Sequence, residues 1–408
     1  MSMTWAWRAA VTAAVVVPLA VARVRHEAAT PAPVAADADV AALGKKIFFD
    51  SSLSGSGRMA CASCHSPDHA YAPPNDRAVQ LGGASMAMEG TRAVPSLRYV
   101  LNRTPAYYKS FALNVEERAR DGSEPPAGGF GWDGRFNSLH DQAAFPLLAA
   151  NEMGNASRTA VVNRVRQGMY ADVFRRAYGE KIFDDTVSAF AKIVYSVERF
   201  ELTDASFHPY DSKYDLYLDG KIALSGAEKR GLALFVDGQR GGCAACHLAA
   251  KGADGTHPLF TDYQFGALGV PRNPEIAANR NSAYFDKGLC GPTRVDQQQN
   301  RDLCGMFKTP TLRNVATRGT FFHNGRFHSL KDALRFYVRC DTDPRLWYPK
   351  RAGKIEKFDD LPSSLRDNVD VASEPLTKHA GEKPAWSDAE IDDVIAFLNT
   401  LTDGYRAK

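Results

Sequence analysis

The chain has 408 residues, of which 44% are hydrophobic and 24% charged, and its net charge at pH 7 is +3. That length allows two or three domains with substantial cores, and the composition is ordinary for a folded soluble protein. The near-balance of charge removes any bulk electrostatic case for a nucleic-acid partner.

Arg8 is followed by the apolar run 9–22, which closes on Ala20-Val21-Ala22, a small-residue pattern suited to signal peptidase. The run is short for a bilayer span, so residues 1–22 are expected to be a cleaved export signal. Residues 23–38, rich in Ala and Pro, read as a disordered tether, with the mature start between Arg23 and Asp37. No other segment is long and apolar enough to cross a membrane, so no stable span is expected after processing.

Two leaders with a shared pattern come next. "LGKKIFFD" (43–50) leads to "CASCH" (61–65), and "RGLALFVD" (230–237) leads to "CAACH" (243–247). In each leader a Gly is followed by Phe four residues on and Asp six on: Gly44, Phe48, Asp50 and Gly231, Phe235, Asp237. C-x-x-C-H is the attachment signature of a c-type haem. Cys61 and Cys64, and likewise Cys243 and Cys246, would add to porphyrin vinyls, with His65 and His247 as proximal iron ligands. A redox pair or half a zinc site uses the same letters, but zinc needs further clustered Cys or His near each motif, and the sequence has no such cluster. Two copies in one exported chain point to two covalent haems.

Each leader is expected to be a helix that delivers the chain to its haem. Matching final helices are expected over 186–202 and 387–403. The second has a Ser387/Glu390 capping box and a buried face of Ile391, Val394, Ile395, Leu398 and Leu401. Residues 204–221 read as a hinge. The expected fold is therefore mainly α with little β structure: two cytochrome c-like haem domains, 39–207 and 208–408, packed against each other. Leu330, Leu334 and Tyr337 mark one face of a further helix, where a tyrosine is ordinarily a core residue.

Two stretches, "GFGWDGRFNSLHDQAAFPLLAANEMG" (129–154) and "FKTPTLRNVATRGTFFHNGRF" (307–327), resemble the bacterial di-haem cytochrome c peroxidase and MauG family. The resemblance runs from about residue 40 to the C-terminus. It implies that the first haem is a peroxide site whose distal pocket holds Gln142 and Glu152, with Pro146 between them. A carboxylate there can take and return a proton of H2O2, and a neutral amide can orient peroxide. Trp132 falls where the family has a tryptophan between the haems. Arg313 is a candidate partner for a haem propionate, with a plain salt bridge as the alternative.

The departures from the family pattern are informative. The stretch before Arg92 has no histidine to cap the first haem. Met86, Met88 and His69 are alternative ligands, and an open iron is the simpler reading. Ala93 replaces an Asn that supplies a side-chain ligand to calcium, which argues against that ion, although the carbonyls of Arg318 and Thr320 remain available. Tyr337 stands fourteen residues after His323, where ordinary peroxidases have a Met ligand to the second haem. A phenolate is a hard anionic donor that favours high oxidation states, as in the MauG-like branch, MbnH type. Gly241 replaces the tryptophan through which electrons leave MauG, so another surface aromatic is expected to serve.

What the resemblance then implies is an exported, periplasmic peroxidase-class oxidoreductase. H2O2 would generate a high-valent, bis-ferryl type of state shared through Trp132. Its equivalents would oxidise aromatic side chains, tryptophan above all, of a partner protein, with a small copper-binding protein as one candidate. An ordinary cytochrome c peroxidase fed by a small c-type cytochrome is the alternative, and a non-enzymatic electron carrier is the third reading. Cys290 and Cys304 are expected disulfide partners, leaving Cys340 as a free thiol. His140 and His328 are expected on the surface.

Overall fold

The computed structural model describes residues 36–99, 101–108 and 126–406. The expected export signal, and the tether as far as residue 35, lie outside the described residues. Among these, the helices are α1 (Asp37–Phe48), α2 (Cys61–Cys64), α3 (Leu139–Leu148), α4 (Arg158–Gln167), α5 (Ala171–Tyr178), α6 (Thr186–Thr203), α7 (Lys213–Leu218), α8 (Gly226–Val236), α9 (Leu330–Arg339) and α10 (Asp388–Asn399). The strands form three two-residue antiparallel ribbons: β1 (Leu81–Gly82) with β2 (Met88–Glu89), β3 (Phe265–Gly266) with β4 (Phe307–Lys308), and β5 (Lys350–Arg351) with β6 (Lys354–Ile355). The fold is mainly helical, as expected. No helix among the described residues is long and apolar enough to cross a membrane.

The repeated leaders are repeated helix crossings. On α1, Val40, Leu43, Gly44, Ile47 and Phe48 are buried, one face of a 3.6-residue period. Gly44 lies so close to α6 that a Cβ there would sit 1.8 Å from the Ser196 carbonyl oxygen. Gly231 of α8 repeats this against α10, where a Cβ would sit 2.0 Å from the Asp393 oxygen. One turn further on, Phe48 meets Phe200 edge-on at 5.4 Å, and Phe235 meets Phe397 at 5.2 Å. Two large apolar cores form around these crossings, one drawn from residues 43–207 and the other from 214–401. Both belong to one compact unit, residues 35–408.

Three local expectations are adjusted. Helix α1 starts at Asp37, inside the expected tether: Asp37 and Asp39 complement the helix N-terminus, and Asp37 pairs with Arg199 of α6. The expected hinge is folded rather than loose. It carries a 3-10 turn (Ala205–Phe207) and α7, with a Ser212/Asp215 capping box and with Phe207, Tyr214 and Asp215 buried. Helix α10 has the expected capping box but ends at Asn399. Beyond it, Asp403 is drawn to Arg98 and Asn314, at 2.8 and 2.7 Å. Cys290 and Cys304 are disulfide-bonded with Cα atoms 4.9 Å apart, and Cys340 is a buried free thiol.

Candidate haem sites

A continuous cavity of about 1530 Å³ runs through the molecule, and His65 and His247 both line it, each with the cysteines of its motif. Single-ligand pockets occupy ~300–1,000 Å³, so this volume suits more than one large group. The two proximal histidines are held alike. His65 Nδ1 lies 3.0 Å from the Tyr71 carbonyl, and His247 Nδ1 lies 2.8 Å from that of Phe260. The carbonyls of Pro95 and Pro310 face the same rings. A carbonyl only accepts, so Nδ1 carries the proton and the Nε2 lone pair is left for a metal. Burial lowers both imidazole pKa values to about 4, which keeps the rings neutral, the form that ligates iron.

The four motif cysteines form no disulfide. Burial raises the thiol pKa values of Cys61, Cys64 and Cys243, that of Cys64 to about 11 and that of Cys243 to about 12. Among the described residues no cluster of three or more His, Cys, Asp or Glu could hold a metal ion, which removes the zinc reading. Several buried polar atoms without a partner line the cavity: Arg135 Nε, Glu201 Oε2, Tyr263 OH, His323 Nε2, Glu374 Oε2 and Trp386 Nε1. Buried polar atoms are ordinarily satisfied. Orphans distributed along this cavity therefore fit large groups with polar edges of their own, as haems with their propionates are.

The distal residues named from sequence face the same cavity. Gln142, Pro146 and Glu152 all line the cavity. Ser138 caps α3 by accepting from Asp141 N–H at 3.1 Å. Gln142 and Pro146 are one turn apart on α3, and Pro146 has no N–H to give the Gln142 carbonyl. After α3 the chain doubles back. Met153 N–H donates to Pro146, and the Glu152 carbonyl accepts from Gly83 at 2.7 Å, which fixes Glu152 beneath the helix end. Burial raises the Glu152 pKa, and nearby Arg135 opposes the rise. Met86, Met88 and His69, the alternative ligands, are not among the residues lining the cavity. Met86 instead accepts from Ser56, Met88 is 46% exposed, and His69 bonds Ser66.

Sequence reasoning missed a second repeat that aligns these residues with the other site. Phe130 bridges Phe136 around Trp132, and Phe321 bridges Phe327 around His323. Each loop leads to a serine-capped helix of 10 residues, capped by Ser138 or Ser329. Pro146 and Tyr337 are then the same position of equivalent helices. Proline has no donor atom to offer, and tyrosine has a hydroxyl. Tyr337 lines the cavity and senses the Cys243 and Cys246 side chains, and burial raises its pKa. Trp132 and His323 sit edge-on with centroids 6.5 Å apart. Trp132 Nε1 donates to the Ala93 carbonyl at 2.7 Å, and Ala93 N–H donates to the His323 carbonyl at 2.7 Å.

The remaining expectations fare as follows. Arg313 lines the cavity, but its guanidinium binds both oxygens of Asp215 at 2.7 and 3.0 Å, and its Nε donates to Pro258. The Thr320 carbonyl, one of two considered for calcium, accepts from Arg318 Nε at 3.3 Å. The space a side chain at Gly241 would need is filled by Trp386, whose Cζ2 would lie 2.2 Å from a Cβ there. Trp386 itself is buried, 1% exposed. His140 is half-buried against Glu198 and His328 is exposed beside Glu275.

Known proteins share this arrangement. The family model described as di-haem cytochrome c peroxidase matches residues 38–223. The methylamine utilization protein MauG of Paracoccus denitrificans is 30% identical over 375 residues, 90% of this chain and 89% of that one. The crystal structure of the diheme peroxidase BthA of Burkholderia thailandensis is 35% identical with a TM-score of 0.79, over 90% of this chain and 86% of that one. A MauG-like protein associated with microbial copper homeostasis has the same fold, with a TM-score of 0.62 at 24% identity over 91% of each chain. Paired attachment motifs, a cavity sized for two groups and these similarities have one reading: the chain belongs to the di-haem cytochrome c peroxidase and MauG family, a peroxide-using oxidoreductase with two covalently bound c-type haems.

Proposed function

We propose that this protein reacts with H2O2 at the His65 haem and uses the two oxidising equivalents on aromatic side chains, tryptophan first, of a partner protein in the periplasm. The observation that carries this reading is the helix repeat, which gives the second site an oxygen donor, Tyr337, where the first has Pro146. Bound in the cavity, the haems supply the two-electron reduction of peroxide to water.

The side chains do the rest. The Glu152 carboxylate accepts a proton from one peroxide oxygen and returns it to the oxygen that leaves as water. Burial raises its pKa and so strengthens it as a base, and Arg135 opposes the rise. Gln142 orients peroxide without adding charge. The Trp132 indole, fixed through Nε1, offers an oxidisable ring on the wall common to both sites. A phenolate from Tyr337 is a hard anionic donor that favours a highly oxidised second site.

The alternative is peroxide scavenging with electrons from a small c-type cytochrome. Adding one equivalent of H2O2 to the diferric protein, with no reductant, separates the two. A long-lived near-infrared band, lost when a tryptophan-bearing partner is added and accompanied by oxidation of that tryptophan in its mass spectrum, is the expected result. A transient discharged only by a reduced cytochrome would overturn the proposal.

A further inference from the structure

Most cationic side chains on the cavity wall have an anion. Arg92 binds Asp286 and Asp133 at 2.6 and 2.7 Å, Arg135 binds Asp133 at 3.1 Å, and Arg313 binds Asp215 at 2.7 Å. Lys308 donates to the Gly129 carbonyl and has the charge of Asp133 nearby. Arg318 differs. It lines the cavity, and its hydrogen bonds run to two backbone carbonyls, from Nη2 to Val94 at 3.0 Å and from Nε to Thr320 at 3.3 Å. It forms no salt bridge with a carboxylate of the described residues.

An arginine sequestered with carbonyls alone is strongly unfavourable unless something supplies negative charge. Burial lowers its pKa to about 10 with no opposing anion, and its charge is felt at the His65 ring. Val94, which it grips, precedes Pro95, whose carbonyl faces the same ring. Of the five N–H donors of a guanidinium, the two carbonyls take one each. The others suit a bidentate carboxylate, and the group already required in this cavity carries two of them as propionates.

We propose that Arg318 anchors a propionate of the His65 haem, so that a side chain from the stretch following the second attachment motif sets the charge beside the first haem. A fixed positive charge next to iron favours the reduced state and raises that haem's potential. The role is independent of which substrate is oxidised.

The test is a redox titration of the di-haem holoprotein, with resonance Raman of the propionate bending modes, for wild type, Arg318→Lys and Arg318→Gln. Arg318→Gln is expected to shift the His65-haem potential negative and to move its propionate bands, with the His247 haem unchanged. Arg318→Lys is expected to hold the potential. An Arg318→Gln protein that carries both haems and melts earlier, yet keeps both potentials and its propionate bands, would overturn the proposal and leave Arg318 as a tie between Val94 and Thr320. Equal shifts at both haems would also overturn it. If Arg318→Gln does not accumulate, Arg318→Lys decides: moved propionate bands at a retained potential support the anchor, and unmoved bands refute it.

Discussion

Substituting alanine for Gly44 or Gly231 tests the frame that positions both haem sites. A Cβ on Gly44 would lie 1.8 Å from the Ser196 oxygen and 2.4 Å from its carbonyl carbon; on Gly231 it would lie 2.0 Å from the Asp393 oxygen and 2.6 Å from that carbonyl carbon. The obstacle in each case is backbone, which no rotamer change can clear. Restoring ordinary contact requires each helix pair to part by more than an ångström, and such overpacking costs ~1–3 kcal/mol, sometimes more. Helix propensity alone works the other way, favouring Ala over Gly by ~1 kcal/mol. The net expectation is a loss of about 1 kcal/mol for each variant, reaching about 2 kcal/mol at the top of the overpacking range. Phe48 and Phe235, one turn along these helices, line the cavity, so the crossings also set the haem walls. Gly44→Ala should disturb the first haem's spectrum and Gly231→Ala the second's. Denaturant unfolding of the holoprotein, followed by far-UV circular dichroism and Soret absorbance, measures both effects. A stability gain near 1 kcal/mol, the propensity term by itself, would refute the close-crossing argument.

Glu152→Gln should slow the reaction with H2O2 by ~10²–10⁴-fold, the range of a positioned acid–base group. In wild type that rate should rise with pH through an inflexion above 4.5, because burial raises the Glu152 pKa; stopped-flow mixing should find the variant flat, and a variant with near-normal rate removes the role. Glu201, 4% exposed, has its pKa raised by burial, and secondarily by Glu198, to about 8. A carboxyl with a raised folded pKa contributes stability that is complete below about 4.5 and lost as pH rises through about 8. Glu201→Gln should therefore gain on wild type across that window, by roughly 4–5 kcal/mol at its top, and melting curves with parallel pH dependence would contradict this. Removing calcium with a chelator should leave the haem spectra and peroxide reactivity unchanged, because Ala93 has no side-chain donor and the Thr320 carbonyl already accepts from Arg318; activity lost to chelation and restored by calcium would contradict it.

Features encoded by contiguous residues were legible in the sequence. The attachment motifs, the Ser387/Glu390 cap and the Gly44/Phe48 and Gly231/Phe235 pattern need only local spacing, and the structure turns the last into two matching helix crossings. Gln142, Pro146 and Glu152 were named through the family resemblance, which was easy to apply because they lie within eleven residues on one helix and its return loop. Features assembled from distant segments were not. The Asp215 that takes up Arg313 lies 98 residues away from it, inside the supposed hinge. Trp386 reaches Gly241 from just before the last helix, and Arg318 meets Val94 across 224 residues. The correspondence of Pro146 with Tyr337 was missed although residues 130–141 and 321–332 share Phe, Gly-Arg-Phe, Ser-Leu and Asp at matching positions, and their bridges and caps coincide.

The central claim is that Tyr337 makes the second haem site a store of oxidising equivalents. Its most direct test is the absorption of the diferric protein after one equivalent of H2O2, compared between wild type and Tyr337→Met with both haems attached. The account predicts a long-lived near-infrared band in wild type that the methionine variant lacks. An unchanged band in that variant would contradict it.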